Sequence, residues 1–223
     1  MGPAAKAGGP NYVPQLARWR QVSLPAVDRE PLPAPMARLL ERCLAQLSDA
    51  DAAALVKASA ASYARAWREH FSRAHDPSAI RGELNLFRYR GFRRVIARGT
   101  TATATLCQVL LAACAVSARL TVSLSPESPP WPWLAEADGV EPVTETEADF
   151  VERLSHPGDA ERVRVWEPIS TAARVAANSA GVTVIDAPVL ANGRLELRWY
   201  LREQTVSRVL HRYGSLTEPA ATE

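Results

Sequence analysis

The stretch from Phe92 to Leu124 constrains the fold more than any other part of the chain. Phe92-Arg93-Arg94-Val95-Ile96-Ala97 reads as a strand, and Leu120-Thr121-Val122-Ser123-Leu124 as a second. Between them, from Thr100 or Thr101 to about Ser117, the spacing predicts a helix that is apolar nearly all round. Two strands joined by a helix in so short a span make a crossover unit of a parallel sheet. A helix with no polar face must be covered on both sides, by the sheet and by a further layer.

The pattern continues downstream. A helix is expected over 145–154, a strand at Arg162-Val163-Arg164-Val165-Trp166, a short helix over 171–180 ended by Gly181, and a strand at Val182-Thr183-Val184-Ile185. The alternation predicts a small α/β sandwich with a parallel sheet. Residues 125–142, with Pro129-Pro130-Trp131-Pro132-Trp133, read as a loop. Asn192-Gly193 is a strong hairpin signal, and Leu195, Leu197 and Trp199 then alternate with Glu196 and Arg198 as a half-buried strand would.

Upstream, residues 1–35 are rich in Pro and Gly and read as an extended segment whose Tyr12, Val13, Leu16 and Trp19 need a surface to lie on. Residues 36–80 read as a helical linker. Met36, Leu39, Leu40, Cys43, Leu44 and Leu47 form one apolar stripe. A second helix, N-capped by Ser48 and anchored by Leu55, Tyr63, Trp67 and Phe71, runs to about Ala74. Residues 81–223 then form the α/β domain with its hairpin flap and tail.

Composition limits the functions open to such a chain. The 223 residues carry a net charge of +2, which calls for neither nucleic acid nor an anionic membrane. No apolar run approaches the roughly 20 residues of a membrane span. The N-terminus lacks the apolar core of a signal peptide, so cytoplasm is expected. Cys43, Cys107 and Cys114 are too few and scattered for a disulfide framework or a zinc site, and His70, His75, His156 and His211 lie far apart. Cys107 and Cys114 share one face of an uncharged helix, which makes them core residues rather than nucleophiles.

Few positions suggest chemistry. The turn Arg98-Gly99-Thr100-Thr101-Ala102-Thr103 follows the first strand, where a dinucleotide fold holds a pyrophosphate. It has one glycine instead of three, and a threonine-capped turn is the simpler reading. Glu145, Glu147 and Asp149 suit the acidic first turn of a helix better than a catalytic pair. Trp131 and Trp133 suit either a partner or an inward-folded loop. The tail is different: Arg202, Glu203, Gln204, His211, Arg212 and Tyr213 gather hydrogen-bonding groups where a lone domain would fray, as expected of a segment that docks into a neighbour.

Three stretches resemble a known family. Gly2-Pro3-Ala4-Ala5-Lys6-Ala7-Gly8-Gly9-Pro10-Asn11-Tyr12 resembles the end of the catalytic domain of L-glutamate-γ-semialdehyde dehydrogenases. Gly82-Glu83-Leu84-Asn85-Leu86-Phe87-Arg88-Tyr89-Arg90 is similar to the start of the extra C-terminal domain of long proline utilization A proteins. Asn192 to Leu197, Arg202-Glu203-Gln204 and His211-Arg212-Tyr213-Gly214 resemble their C-terminus. The resemblance implies a parent enzyme that oxidises proline with FAD and the resulting semialdehyde with NAD, passing the intermediate through a tunnel. It implies an aldehyde-dehydrogenase-like domain without catalytic residues, which covers the tunnel and supports an oligomer. The flavin barrel, NAD domain and catalytic cysteine would lie upstream of Met1, so no catalytic, cofactor-binding or metal residue is expected here. Asn192, Gly193, Arg202, Glu203, Gln204, His211, Arg212 and Tyr213 would instead meet the parent or its protomer. The alternative is a free-standing Rossmann-like nucleotide-binding protein or dehydrogenase using the Gly99–Thr103 turn.

Overall fold

The all-round apolar helix organises the molecule. In the computed structural model, which describes residues 9–26, 30–99, 103–128, 131–156, 158–212 and 215–216, it is one of seven α-helices. α1 is Tyr12–Leu16, α2 Ala34–Leu44, α3 Ala50–Ala66, α4 Thr103–Ala115, α5 Glu147–Ser155, α6 Thr171–Ser179 and α7 Gly193–Glu196. Every residue of α4 from Leu106 to Ala113 is buried. Sheet residues cover one side of it and α2 and α3 the other, which is why it needs no polar face.

The sheet holds five parallel strands: β2 (Val95–Arg98), β3 (Leu120–Leu124), β4 (Val140–Thr144), β5 (Arg162–Val165) and β6 (Thr183–Ile185), in the order β4-β3-β2-β5-β6. Strand periodicity divides two cores. Val95 and Ala97 face α4, whereas Ile96 faces Phe150, Leu154, Ala173 and Ala177 of α5 and α6. A second, antiparallel pair stands apart. β1 (Glu83–Gly91) runs against β7 (Leu201–Val209), from Glu83↔Val209 to Gly91↔Leu201, and β8 (His211–Arg212) pairs with β9 (Ser215–Leu216).

Several expectations are corrected. The largest is at Asn192-Gly193, where no hairpin forms. The Asn192 side chain accepts the Arg194 N–H at 2.9 Å and caps α7, and a 3-10 turn, Leu197–Tyr200, follows where a strand was expected. Asparagine serves a tight turn and a helix cap equally well, and the tertiary setting decides. Gly193 lies so close to α3 that an added Cβ would stand 2.4 Å from the Ser62 carbonyl oxygen. The flap is instead the β1–β7 ribbon, whose strands are distant in sequence. The loop expected over 125–142 gives way at Val140 to β4, an edge strand, where the proline at 142 is tolerated. Asp49, not Ser48, caps α3, accepting from Asp51 and Ala52. After Ala66 the helix widens into one π turn, Trp67–Phe71, and ends earlier than expected. The short helix α1 interrupts a segment expected to be extended. Gly2–Gly8, Thr100–Ala102, Tyr213 and Gly214 lie outside the described residues.

The crevice at the carboxyl edge and the antiparallel ribbon

Strand order reverses between β2 and β5, and in open parallel sheets ligands bind at that point, beyond the carboxyl ends of the strands. A crevice of about 530 Å³ lies there, lined by Arg98, Gly99, Ser125, Glu147, Glu167 and Ser170 among others. Its polar groups are engaged with one another. Arg98, buried, donates from Nη1 to Ser123 Oγ at 2.7 Å and from Nη2 to Glu147 Oε2 at 2.9 Å. Its guanidinium also lies 4.2 Å from the Phe150 ring centre. Ser123 donates to Glu145 at 2.5 Å, and Glu145 accepts from Arg153 at 2.8 Å. Asp149 closes a capping box with Thr146, whose hydroxyl hydrogen bond holds the Asp149 carboxyl below its usual pKa. Glu145, Glu147 and Asp149 thus serve structure.

The glycine of the turn is occupied as well. An added Cβ on Gly99 would lie 2.1 Å from the Trp166 ring, so Trp166 takes up the approach a pyrophosphate would need. Arg98 and Gly99, the described residues at the start of that turn, are thus engaged within the protein. Nothing local in the sequence announced this, because Trp166 reads as the end of a strand. Cys43 and Cys107 are buried and Cys114 is half-buried. The Cys107 thiol beside Cys43 and then burial push the Cys43 thiol up, and burial pushes Cys114 up. All three are unsuited to nucleophilic work. Among the described residues no group of three His, Cys, Asp or Glu could hold a metal, and no helix is long and apolar enough to cross a membrane. Trp131 and Trp133 fold inward against the core.

The ribbon presents a different surface. Arg88 donates to Gln204 across it at 2.8 Å. Asn11, just before α1, donates to Glu203 at 2.9 Å and to the Tyr89 hydroxyl at 3.1 Å, tying the N-terminal arm to the ribbon. Burial pushes the Tyr89 phenol up to about 12, so it stays neutral. Gln21 ties the arm again, accepting the Ala191 N–H at 2.9 Å, and Val13, Leu16 and Val22 are 73%, 72% and 80% exposed. Val209, at the far end of the ribbon, is 68% exposed.

No family model matches the chain, and no curated protein matches it. Solved structures do. A structure of proline utilization A (PutA) from Corynebacterium freiburgense matches with a TM-score of 0.66 and 29% identity, over 95% of this chain and 18% of that one. The chain resembles a region of PutA. A PutA mutant from Bradyrhizobium japonicum matches at 19% identity over 68% of this chain and 19% of that one, TM-score 0.47. A putative aldehyde dehydrogenase from Burkholderia cenocepacia matches at 14% identity over 67% and 37%, TM-score 0.47. This chain therefore spans about a fifth of the PutA chains it matches.

Of the residues singled out for contact with a PutA-type parent, three stand in succession at the start of β7. Arg202 faces Glu161 at 3.7 Å, Glu203 holds Asn11 and Gln204 accepts Arg88. His211 packs over Gly82, where an added Cβ would stand 1.8 Å from its ring. Arg212 continues the backbone as β8. Asn192 is exposed but lies on α7, and Gly193 is turned inward onto α3. Sequence reasoning missed Asn11 and Arg88 as partners of the tail, since their pairing is purely long-range.

Proposed function

We propose that this chain is a non-catalytic part of a PutA-type bifunctional enzyme of proline catabolism, which converts proline to glutamate by proline dehydrogenase and L-glutamate-γ-semialdehyde dehydrogenase activities. Its role is to cover the substrate tunnel and support assembly. The observation that carries this reading is the match over 95% of the chain to only 18% of a PutA chain. Trp166 packed against Gly99, and Arg98 engaged by Ser123 and Glu147, weigh against a free-standing dehydrogenase. FAD and NAD belong to the parent in this reading. The arm from Tyr12 to Leu24 and the ribbon residues Arg202, Glu203 and Gln204, with His211, Arg212 and Tyr213, form the contact with the parent or its protomer.

Burying a side chain such as Leu16 is worth about 1.5–3 kcal/mol, so the arm alone supplies substantial binding energy. The test is sedimentation velocity of the chain mixed with a PutA-type enzyme lacking the corresponding region. Co-sedimentation, abolished by Val13→Asp/Leu16→Asp, is expected. Independent sedimentation of both components at high micromolar concentration would overturn the reading.

A further inference from the structure

The amino edge of the sheet, opposite that crevice, carries two adjoining hollows. One, of about 570 Å³, is lined by Arg93, Arg94, Arg119, Leu120, Val140 and Glu141 among others. The other, of about 630 Å³, is walled by Arg90, Arg93 and Arg119 together with Trp67, Tyr89 and Phe92. Arg93 and Arg119 belong to both. Arg90, Arg93, Arg94 and Arg119 are all exposed, and none makes an ion pair among the described residues.

Several arginines elsewhere on the surface meet an acid, as in Arg38 with Asp138, Arg42 with Glu136 and Arg174 with Asp186. Here the acids are spent or scarce. Glu161 Oε2 accepts the backbone N–H groups of Arg93 and Arg94 at 2.8 and 3.2 Å, and its other oxygen faces Arg202. Glu141 is the one acid in either lining. The carbonyl end of α4 attracts a cation nearby, but that effect is about 0.3–1 kcal/mol and fades within one turn. It accounts for Arg119, which follows α4, and not for three arginines from β1 and the turn after it. Collecting like charges on one rim carries a repulsive cost that an anionic occupant would reverse.

We propose that this arginine rim docks an acidic polypeptide segment. The planar guanidinium matches a carboxylate bidentately. Of the 26 basic residues only Lys6 and Lys57 are not arginine. The apolar walls offered by Trp67, Leu120 and Val140 suit side chains of a peptide between its carboxylates. Two hollows side by side along a sheet edge fit an extended occupant, and a net charge of +2 is too small for nucleic acid. The rim adjoins the base of the ribbon through Tyr89, Arg90 and Gly91. It uses none of the arm residues, so it stands or falls separately from the assembly reading.

The test is fluorescence anisotropy of the full chain with a labelled peptide of Glu and Leu. Arg93→Gln/Arg119→Gln should weaken binding about tenfold. The charge-matched Arg73→Gln/Arg81→Gln should leave it unchanged, with circular dichroism unaltered in both. Equal weakening by both pairs would reduce the effect to bulk charge and overturn the proposal. So would absence of peptide binding, or stronger binding of inorganic tripolyphosphate at the same rim.

Discussion

Arg164 and Glu196 are both fully buried, and their pairing decides how the C-terminal third attaches to the sheet. Arg164, on β5, meets Glu196 at 3.0 Å through Nε, and its Nη1 donates to the carbonyls of Val165, Ile185 and Ala187. Glu196 also accepts from the Leu190 N–H and the Tyr200 hydroxyl, while Tyr63 of α3 donates to the Leu190 carbonyl at 2.6 Å. Burial would pull the Arg164 pKa down, and the Glu196 carboxylate beside it more than compensates. The network stitches α3, β5, β6 and α7 together with its polar atoms satisfied. Glu196→Ala would leave the guanidinium charged and without its counter-ion, so a loss of about 3–5 kcal/mol is expected. Urea unfolding checks it, and a replacement of both partners by apolar residues should recover much of the loss. The helical α7 that begins at Asn192-Gly193 places Glu196 on Arg164.

Among elements, the ribbon depends on a turn that sets its first strand. Asp76 Oδ1 accepts the N–H groups of Ser78 and Ala79 and the Ser78 hydroxyl, while Oδ2 accepts the Asn85 N–H of β1. Ala79 is held at φ 47°, in the left-handed region. The Ala79 N–H, then that of Asn85, then the Ser78 hydroxyl hold the Asp76 carboxyl at about 2. A carboxyl lowered on folding contributes stability above its unfolded pKa, near 3.9, and loses it as pH falls towards 2. Urea unfolding between about pH 5 and 2 should therefore show a steeper acid decline in the parent chain than in Asp76→Asn. Elements differed in how far the sequence revealed them. The α4 helix was legible because no face of it carries charge, and the parallel sheet follows from the alternation of strands with helices. β4 was hidden by Pro142 and by acids on an edge. The ribbon was invisible because Glu83–Gly91 and Leu201–Val209 make their contacts across the whole α/β unit. Of the contact residues, the polar density of Arg202, Glu203 and Gln204 was apparent, but Asn11 and the arginine rim assemble only in three dimensions.

At the scale of the molecule, two opposite edges of one sheet have diverged. At the carboxyl edge, where a parallel sheet would bind a ligand, Trp166 crowds Gly99, and Arg98, Ser123 and Glu145 are engaged with one another. The amino edge, the ribbon and the arm remain open, with unpaired arginines and bare apolar side chains. Crevice groups engaged with one another, and margins that carry exposed arginines and apolar side chains, accord with the proposed contact role. Restoration of coupled turnover is the most direct test of that account. A PutA-type enzyme lacking the corresponding region would be assayed for NADH formation from proline, with and without this chain added. The account predicts a lag in the truncated enzyme that the added chain shortens, while the chain alone binds no NAD. An unchanged lag together with saturable NAD binding by the chain alone would contradict it.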